Sequence, residues 1–183
     1  MTAERLDPLK PRLLTLSEEI VDLSERLEQA EAGSDDRKAH HCVKRLRSIG
    51  DELVDCLEHA GGDDLAFARF MMGSVCSLLG FWEQAESSYR AALETWPDHV
   101  GLLNELFDAL VAQRKYAEAE TVIRQSIRHG GETPLILRNL AAVLVYLKRI
   151  NEARIVMINC TARFPGDEES RTFLKQLDSP ASG

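Results

Sequence analysis

The residues of this chain best suited to hold a metal ion are histidines and cysteines in its first third. His40, His41 and Cys42 stand together, and Cys56 precedes His59 by about one helical turn. Thiolate and imidazole groups are the usual ligands of structural Zn²⁺. However, Cys42 and Cys56 would lie roughly 21 Å apart along a straight helix, because each residue adds about 1.5 Å. We therefore expect no metal site, and we interpret these cysteines as small apolar residues that face a helix seam.

Sequence signatures of catalysis are missing as well. The chain has no glycine-rich phosphate loop, no G-x-S-x-G nucleophile elbow and no H-E-x-x-H helix. Its carboxylates are numerous, but no spacing marks two of them as a general acid and base. We expect no catalytic residues, no cofactor and no enzyme activity.

Charge and hydropathy narrow the class of partner. The 183 residues carry a formal net charge of −8, which argues against a surface for nucleic acid because phosphate binding draws on clustered Lys and Arg. No apolar run approaches the roughly 20 residues that span a bilayer. The first residues lack the apolar core of a signal peptide. We expect a cytoplasmic chain with reduced cysteines that neither inserts into membranes nor binds nucleic acid.

The elements that position these side chains begin with a heptad pattern. Apolar residues alternate at spacings of three and four through the first predicted helix: Leu6, Leu9, Leu13, Leu16, Ile20, Leu23 and Leu27. Such spacing is typical of a seam between helices. Pro11 would remove one backbone bond, so we expect the regular helix to begin nearer Arg12. A polar turn after Gly33 and a second helix ending before Gly61 predict an antiparallel hairpin over residues 1–62.

A different period governs the chain from residue 63 onward. Ala85, Ala119 and Ala153 lie 34 residues apart in unbroken register. A fixed period of this length indicates stacked units of two helices, none of which buries its own apolar face alone. The pattern predicts units at about 66–99, 100–133 and 134–167, followed by a capping helix at 168–177. Residues 178–183 are expected to form a disordered tail.

The repeated unit resembles the tetratricopeptide repeat (TPR) family. The first unit matches best, with Met72-Gly73, Ala85, Tyr89, Ala92 and Pro97 at the family's positions. The second unit departs from the family, because it has Phe107, Ser126 and Gly131 where Gly, Ala and Pro are usual. The resemblance covers about residues 63–177. It implies an all-α chain in which the N-terminal antiparallel hairpin precedes a three-repeat TPR α-solenoid with a C-terminal capping helix.

The resemblance also implies a binding surface. In this family the first helix of each unit lines a concave groove, which binds a peptide or helix of a partner protein. The corresponding residues here are mostly apolar, with Asn104 and Arg138 as the main polar groups. The candidate groove residues are Phe67, Phe70, Ser74, Leu78, Asn104, Asp108, Val111, Leu135, Arg138, Val145 and Tyr146.

Some family members hold the C-terminal carboxylate of chaperones with two Lys, two Asn and an Arg. None of the five matching positions agrees with that set, since they hold Phe70, Ser74, Glu105, Leu135 and Asn139. Binding of that chaperone peptide is therefore not expected.

These observations favour a non-enzymatic scaffold or adaptor that binds another protein, and they leave three alternatives open. One is a small TPR chaperone for a secreted substrate, of the type III secretion kind. A second is a homo-oligomer whose seam is formed by Leu9, Leu13, Leu16, Ile20, Leu23 and Leu27. The third is that Phe67, Phe70 and Tyr146 simply pack against the hairpin or a neighbouring unit, so that no free groove exists.

Overall fold

A computed structural model describes residues 9–178, and all regular structure in that range is α-helical. Leu6 and residues 179–183, most of the predicted tail, lie outside the described residues. The helices are α1 (Leu9–Ala32), α2 (Asp36–His59), α3 (Gly62–Leu78), α4 (Trp82–Leu93), α5 (Val100–Ala112), α6 (Tyr116–Gly130), α7 (Pro134–Tyr146), α8 (Ile150–Arg163) and α9 (Glu168–Asp178). The chain divides after Pro97 into two compact units. Unit 1 contains α1–α4, and unit 2 contains α5–α9.

The first two helices form the predicted antiparallel hairpin. Residues 33–35 make the turn, where the Asp35 side chain accepts a hydrogen bond from the backbone N–H of Lys38 at 3.1 Å and caps α2. α1 is helical from Leu9 onward, so the expected start near Arg12 is wrong. Pro11 is tolerated because it lies in the first turn, where a backbone N–H has no partner within the helix.

The heptad seam of α1 is closed inside unit 1. Its members from Leu13 to Leu27 are at most 6% exposed, and they share one core with residues of α2 and α3. The core residues contributed by those two helices are Cys42, Leu46, Ile49, Leu53, Cys56, Ala68, Met71 and Val75. Leu9 is half-buried against the same core. The apolar surface of the seam is thus covered within unit 1, and this favours a core of the hairpin over a seam between two copies of the chain.

The 34-residue period of the sequence reappears as a period in backbone geometry. Gly80, Arg114 and Lys148 each end the turn between the two helices of a pair, and each has a positive φ, of 76°, 60° and 64°. A left-handed residue at this position closes a helix C-terminus, because it turns the chain while satisfying the last free carbonyls. The sequence placed helix breaks at these three turns, and the structure confirms them.

The hydrogen bonds of the three turns repeat with the same spacing. In each, the N–H that follows the left-handed residue donates to a carbonyl five residues earlier. The pairs are Phe81 N to Cys76 O at 2.8 Å, Lys115 N to Leu110 O at 2.9 Å, and Arg149 N to Leu144 O at 2.8 Å. This is the Schellman pattern of helix ends. Equivalent turns thus orient equivalent helix pairs.

Small residues lie at the helix crossings. Ala85, Ala119 and Ala153 are completely buried, as are the larger residues four positions later, Tyr89, Ile123 and Met157. Three positions before the alanines stand Trp82, Tyr116 and Ile150, which the repeat pattern predicts to fill the wedge between helices. Trp82 and Ile150, the first residues of α4 and α8, are each 37% exposed and so bury most of their surface.

Unit 2 ends in α9, which packs against α8. Asp167 caps this helix by accepting the backbone N–H of Ser170 at 2.8 Å. The buried Ser170 hydroxyl lies 3.2 Å from the Cys160 thiol of α8. Phe173, Leu174 and Leu177 are half-buried, as expected for the apolar side of a capping helix.

Candidate partner-binding faces

The candidate residues of unit 1 all lie on α3 and are half-buried. Phe67 and Leu78 pack against the core that α3 shares with the hairpin. The Phe70 ring is tilted by 40° against Tyr89, with centroids 6.2 Å apart. Ser74 donates its hydroxyl to the Phe70 carbonyl at 3.2 Å. Much of this predicted surface is therefore engaged within unit 1, which is the packing alternative that the sequence left open.

Unit 2 exposes more of its candidate residues. On α7, Leu135 is 59% exposed and Tyr146 is 56% exposed. Val145 on α7 and Val111, its equivalent one repeat earlier on α5, are half-buried, whereas Asp108 is exposed. Exposed apolar side chains occur elsewhere on the described chain as well, Ile155 of α8 at 57% among them, so exposure alone does not mark a binding site.

The Tyr146 ring is held in place by a partner that the sequence analysis did not assign to this face. Tyr116, the first residue of α6, stacks on it with ring planes 2° apart and centroids separated by 4.5 Å. Tyr116 is one of the residues that the repeat pattern predicts in the wedge between helices. A stacked partner restricts the Tyr146 side chain, so its remaining face is presented in a fixed orientation, and an ordered ring loses little entropy when it binds.

The two predicted polar groups of the groove have structural partners. The Asn104 side-chain oxygen accepts the hydroxyl proton of buried Ser126 at 2.7 Å. The Arg138 guanidinium pairs with Asp167 at 2.5 Å and with Glu169 at 2.6 Å, which ties α7 to the start of α9. Each of the two groups therefore has a contact within unit 2, and a role for either in binding a partner stays a prediction. Ser126 stands where the family usually has alanine, and a buried hydroxyl needs a hydrogen-bond partner. This serine was the signal in the sequence that could have predicted the contact with Asn104.

The carboxyl group of Asp167 is stabilised in its charged form by the groups around it. The hydroxyl and backbone N–H of Ser170 hold the pKa of its carboxyl below the ordinary value, and Arg138 lowers it further. Its ionised form is therefore favoured in the folded chain. The contact works as a helix cap and an ion pair at once.

Asp108 shows the opposite behaviour. Desolvation by the surrounding protein raises the pKa of its carboxyl from 3.8 to about 6, and repulsion from Glu105 adds to the shift. Its side chain is nevertheless exposed. Among residues 9–178, Asp108 has no hydrogen bond or ion pair.

The candidate metal ligands are not brought together. Cys42 and Cys56 are buried, and the His59 Nδ1 atom lies 2.8 Å from the backbone oxygen of Asp55. Within residues 9–178, no three side chains of ligand type are placed to hold an ion. Across the same residues, no helix combines the length and the hydropathy that crossing a membrane requires.

Comparison with known proteins identifies the fold. No protein-family model and no curated protein sequence matches this chain. Among solved structures, the MamA RS-1 ArsTM double mutant is similar with a TM-score of 0.66 at 14% identity, over 86% of this chain and 84% of that one. Pseudomonas aeruginosa PilF is similar with a TM-score of 0.58 at 16% identity, over 86% and 78%. A TPR protein of Thermus thermophilus gives 0.57 at 17% identity, over 91% and 93%. The chain therefore has the fold of TPR proteins.

Proposed function

We propose that this chain is a non-enzymatic scaffold or adaptor that binds a peptide or helix of a partner protein. The binding surface is the face of unit 2 formed by the first helix of each pair, α5 and α7. The fold supports this proposal in general terms, because repeat solenoids use their extended surfaces to bind other proteins. The exposed Tyr146 ring, held in place by its stack on Tyr116, is the observation that carries it. Exposed Leu135 lies on the same helix about 16 Å away, so an extended segment or a helix would be needed to contact both.

The chemistry of this face suits a segment with apolar side chains. Tyr146 and Leu135 offer large apolar contacts, Val111 and Val145 lie at equivalent positions of α5 and α7, and Asp108 adds a carboxylate. Aromatic anchors with fixed orientation supply most of the energy in many protein interfaces. Asn104 and Arg138 already have partners within unit 2, so the apolar residues and Asp108 are proposed as the main contacts.

The proposal includes the organisation of the repeats. The three left-handed turns at Gly80, Arg114 and Lys148 support three TPR units over residues 63–177. The hairpin of residues 1–62 is proposed as an N-terminal extension that covers the apolar side of the first unit. The helices α1 and α2 of the hairpin share a core with α3, which supports a hairpin that packs on the first unit and not one that extends freely into solvent.

Affinity capture with matched variants tests the proposal. The full chain and the double variant Leu135→Asp/Tyr146→Asp are used as baits, and bound proteins are quantified by mass spectrometry. The control is Val54→Asp/Ile158→Asp, which places the same charges at residues of comparable exposure on α2 and α8. Circular dichroism and thermal unfolding establish that all three proteins fold.

We expect one or more proteins to be retained by the wild type and the control but lost from the Leu135/Tyr146 variant. A captured protein is then purified and titrated by calorimetry, where the variant should bind at least roughly tenfold more weakly, as loss of an interface anchor usually does. Equal capture by the variant and the wild type would contradict the proposed surface.

A further inference from the structure

Unit 2 has a cleft that is lined by none of the exposed α5 and α7 residues discussed above. α6, α7 and α8 enclose a cleft of about 310 Å³. Its floor is apolar, because Leu137 and Leu140 are almost completely buried beneath it. Ile127 of α6 and Val156 of α8 are half-buried and form its walls. This volume falls at the low end of ligand pockets and is large enough for one or two apolar side chains.

The rim of the cleft carries charged residues that are mostly neutralised. Arg124 pairs with Glu120 at 2.9 Å, four residues earlier on α6. Glu132 pairs with Arg163. These two rim residues therefore have their charges satisfied within the fold.

Two polar groups on the rim remain without partners. Arg128 on α6 and Asn159 on α8 are exposed, and neither makes a hydrogen bond or ion pair with any residue in the range 9–178. A guanidinium donates hydrogen bonds and accepts none, and its fork matches the two oxygens of a carboxylate. The Asn159 amide can add a further N–H donor. The cleft thus combines an apolar interior with an unpaired cation at its edge.

We propose that this cleft binds a partner segment in which an apolar side chain lies next to an Asp or Glu. The apolar side chain enters the space between Ile127 and Val156, and the neighbouring carboxylate pairs with Arg128. The positive charge sits on the rim of a chain whose net charge is −8, so the local charge selects an acidic segment although the whole molecule does not. This inference is independent of the α5 and α7 face.

Selection of peptides on the purified full-length chain tests the proposal. A random peptide library displayed on phage is panned against the wild type, and the selected peptides are assayed against four variants. Arg128→Glu reverses the rim charge, and Val156→Phe fills the cleft without changing charge. Arg47→Glu is the matched control, because Arg47 is an exposed arginine on α2 that likewise has no partner among the described residues. Leu135→Asp/Tyr146→Asp reports on the other proposed surface.

We expect a class of selected peptides that contains an apolar residue beside an acidic one. Arg128→Glu and Val156→Phe should each weaken their binding roughly 10- to 100-fold, the range for losing a charge-assisted hydrogen bond or a buried apolar contact. Arg47→Glu and the Leu135/Tyr146 variant should leave it unchanged. Replacing the peptide's acidic residue by Lys should restore binding to Arg128→Glu, which a merely unfolded variant would not show.

Three results would overturn the proposal. The first is that no selected peptide loses binding when Arg128 is changed to Glu. The second is that peptides sensitive to Arg128→Glu lack an acidic residue or bind Val156→Phe normally. The third is that the library yields no peptide for this site under conditions in which the purified protein is folded. Failure of the α5 and α7 surface would appear separately, as equal protein capture by the Leu135/Tyr146 variant.

Discussion

The Tyr89 ring lies directly against the backbone of Gly73, where α3 and α4 cross. A Cβ atom at residue 73 would come within 2.5 Å of Tyr89 Cδ1 and 3.0 Å of Cζ, closer than carbon atoms approach without clashing. Tyr89 is fully buried, so its ring has no free space to move into. The absence of a side chain at Gly73 is therefore what allows a tyrosine at this crossing.

The same crossing is filled differently in the other two pairs. The equivalents of Gly73 and Tyr89 are Phe107 with Ile123, and Ala141 with Met157, all of them buried. A large residue on one helix is matched by a smaller one on the other. Packing density is preserved by this exchange, which explains why Phe107 can stand where the family usually has glycine.

We predict that Gly73→Ala lowers the free energy of unfolding by about 2 kcal/mol, because an overpacked core forces side chains and backbone apart. The measurement is urea unfolding followed by circular dichroism. Gly50→Ala is the control, since its Cβ would meet Val75 Cγ1 at 3.7 Å, an ordinary contact. That variant should gain about 0.5–1 kcal/mol through reduced backbone entropy. Losses of equal size at both positions would refute the steric explanation.

The hydrogen bond between Asn104 and Ser126 predicts a non-additive pair of mutations. Asn104→Ala leaves the buried Ser126 hydroxyl without its side-chain acceptor and should cost about 1–2 kcal/mol. Ser126→Ala restores the family's usual residue and should cost less. The double variant should be close to Ser126→Ala alone, which a double-mutant cycle of unfolding free energies measures. Additive effects would mean that Asn104 stabilises the chain through other contacts.

Asp108 predicts a pH dependence of definite sign. Its pKa is raised in the folded chain, so the folded state binds the proton more tightly than the unfolded state does. The ionised carboxylate therefore costs stability above pH 6, and this cost disappears as the pH falls from 6 towards 4. Asp108→Asn should be more stable than the wild type at pH 7.5, and the difference should shrink as the pH approaches 4.

Thermal unfolding of both proteins across this range measures the effect, and NMR titration of the carboxyl gives the pKa directly. Asp51→Asn is the control, because Asp51 is an exposed carboxyl on α2 with no hydrogen bond or ion pair among residues 9–178. A difference between the wild type and Asp108→Asn that does not change with pH would contradict the assignment.

The three left-handed turns predict that substitutions at equivalent positions change the free energy of unfolding in opposite directions. A non-glycine residue in this conformation costs roughly 1–2 kcal/mol. Gly80→Ala should therefore destabilise the chain by about 1 kcal/mol, since its Cβ would meet nothing within 4 Å and only the backbone is strained. Arg114→Gly should stabilise it by about 0.5 kcal/mol after the entropy cost of glycine. Unfolding curves in urea test both, and a loss in Arg114→Gly would show that its side chain matters more than its φ.

Because the seam of α1 is buried within unit 1, a substitution in it should change the stability of the chain but not its oligomeric state. Leu16→Ala should lower the free energy of unfolding by about 3 kcal/mol, because it leaves a cavity in the core shared by α1, α2 and α3. Light scattering should show the same molar mass for this variant and the wild type. Val21→Ala, at an outward-facing position of α1 that is 56% exposed, is the control and should change neither quantity. A drop in molar mass caused by Leu16→Ala alone would restore the oligomer hypothesis.

The all-helical fold and the positions of the helix breaks followed from the sequence alone. Alanines 34 residues apart mark close crossings, and breakers at fixed offsets mark turns, because both depend on local backbone and side-chain size. Gly73, Tyr89 and their equivalents were likewise visible as a repeated register. Because the same small residues and helix breaks recur in three units, one sequence is enough to predict the crossings and the turns.

Tertiary structure decided which apolar stripes are covered and which polar groups are occupied. A heptad pattern shows that α1 has an apolar side, but the identity of the covering helix depends on contacts far apart in sequence. Asn104 looked available until Ser126, 22 residues away, was seen to donate to it. The Arg138 guanidinium likewise pairs with Asp167, the cap of α9, and with Glu169 in α9. The stacking partner of Tyr146 comes from α6. Periodicity reports what a residue can contact, whereas only the folded chain determines what it does contact.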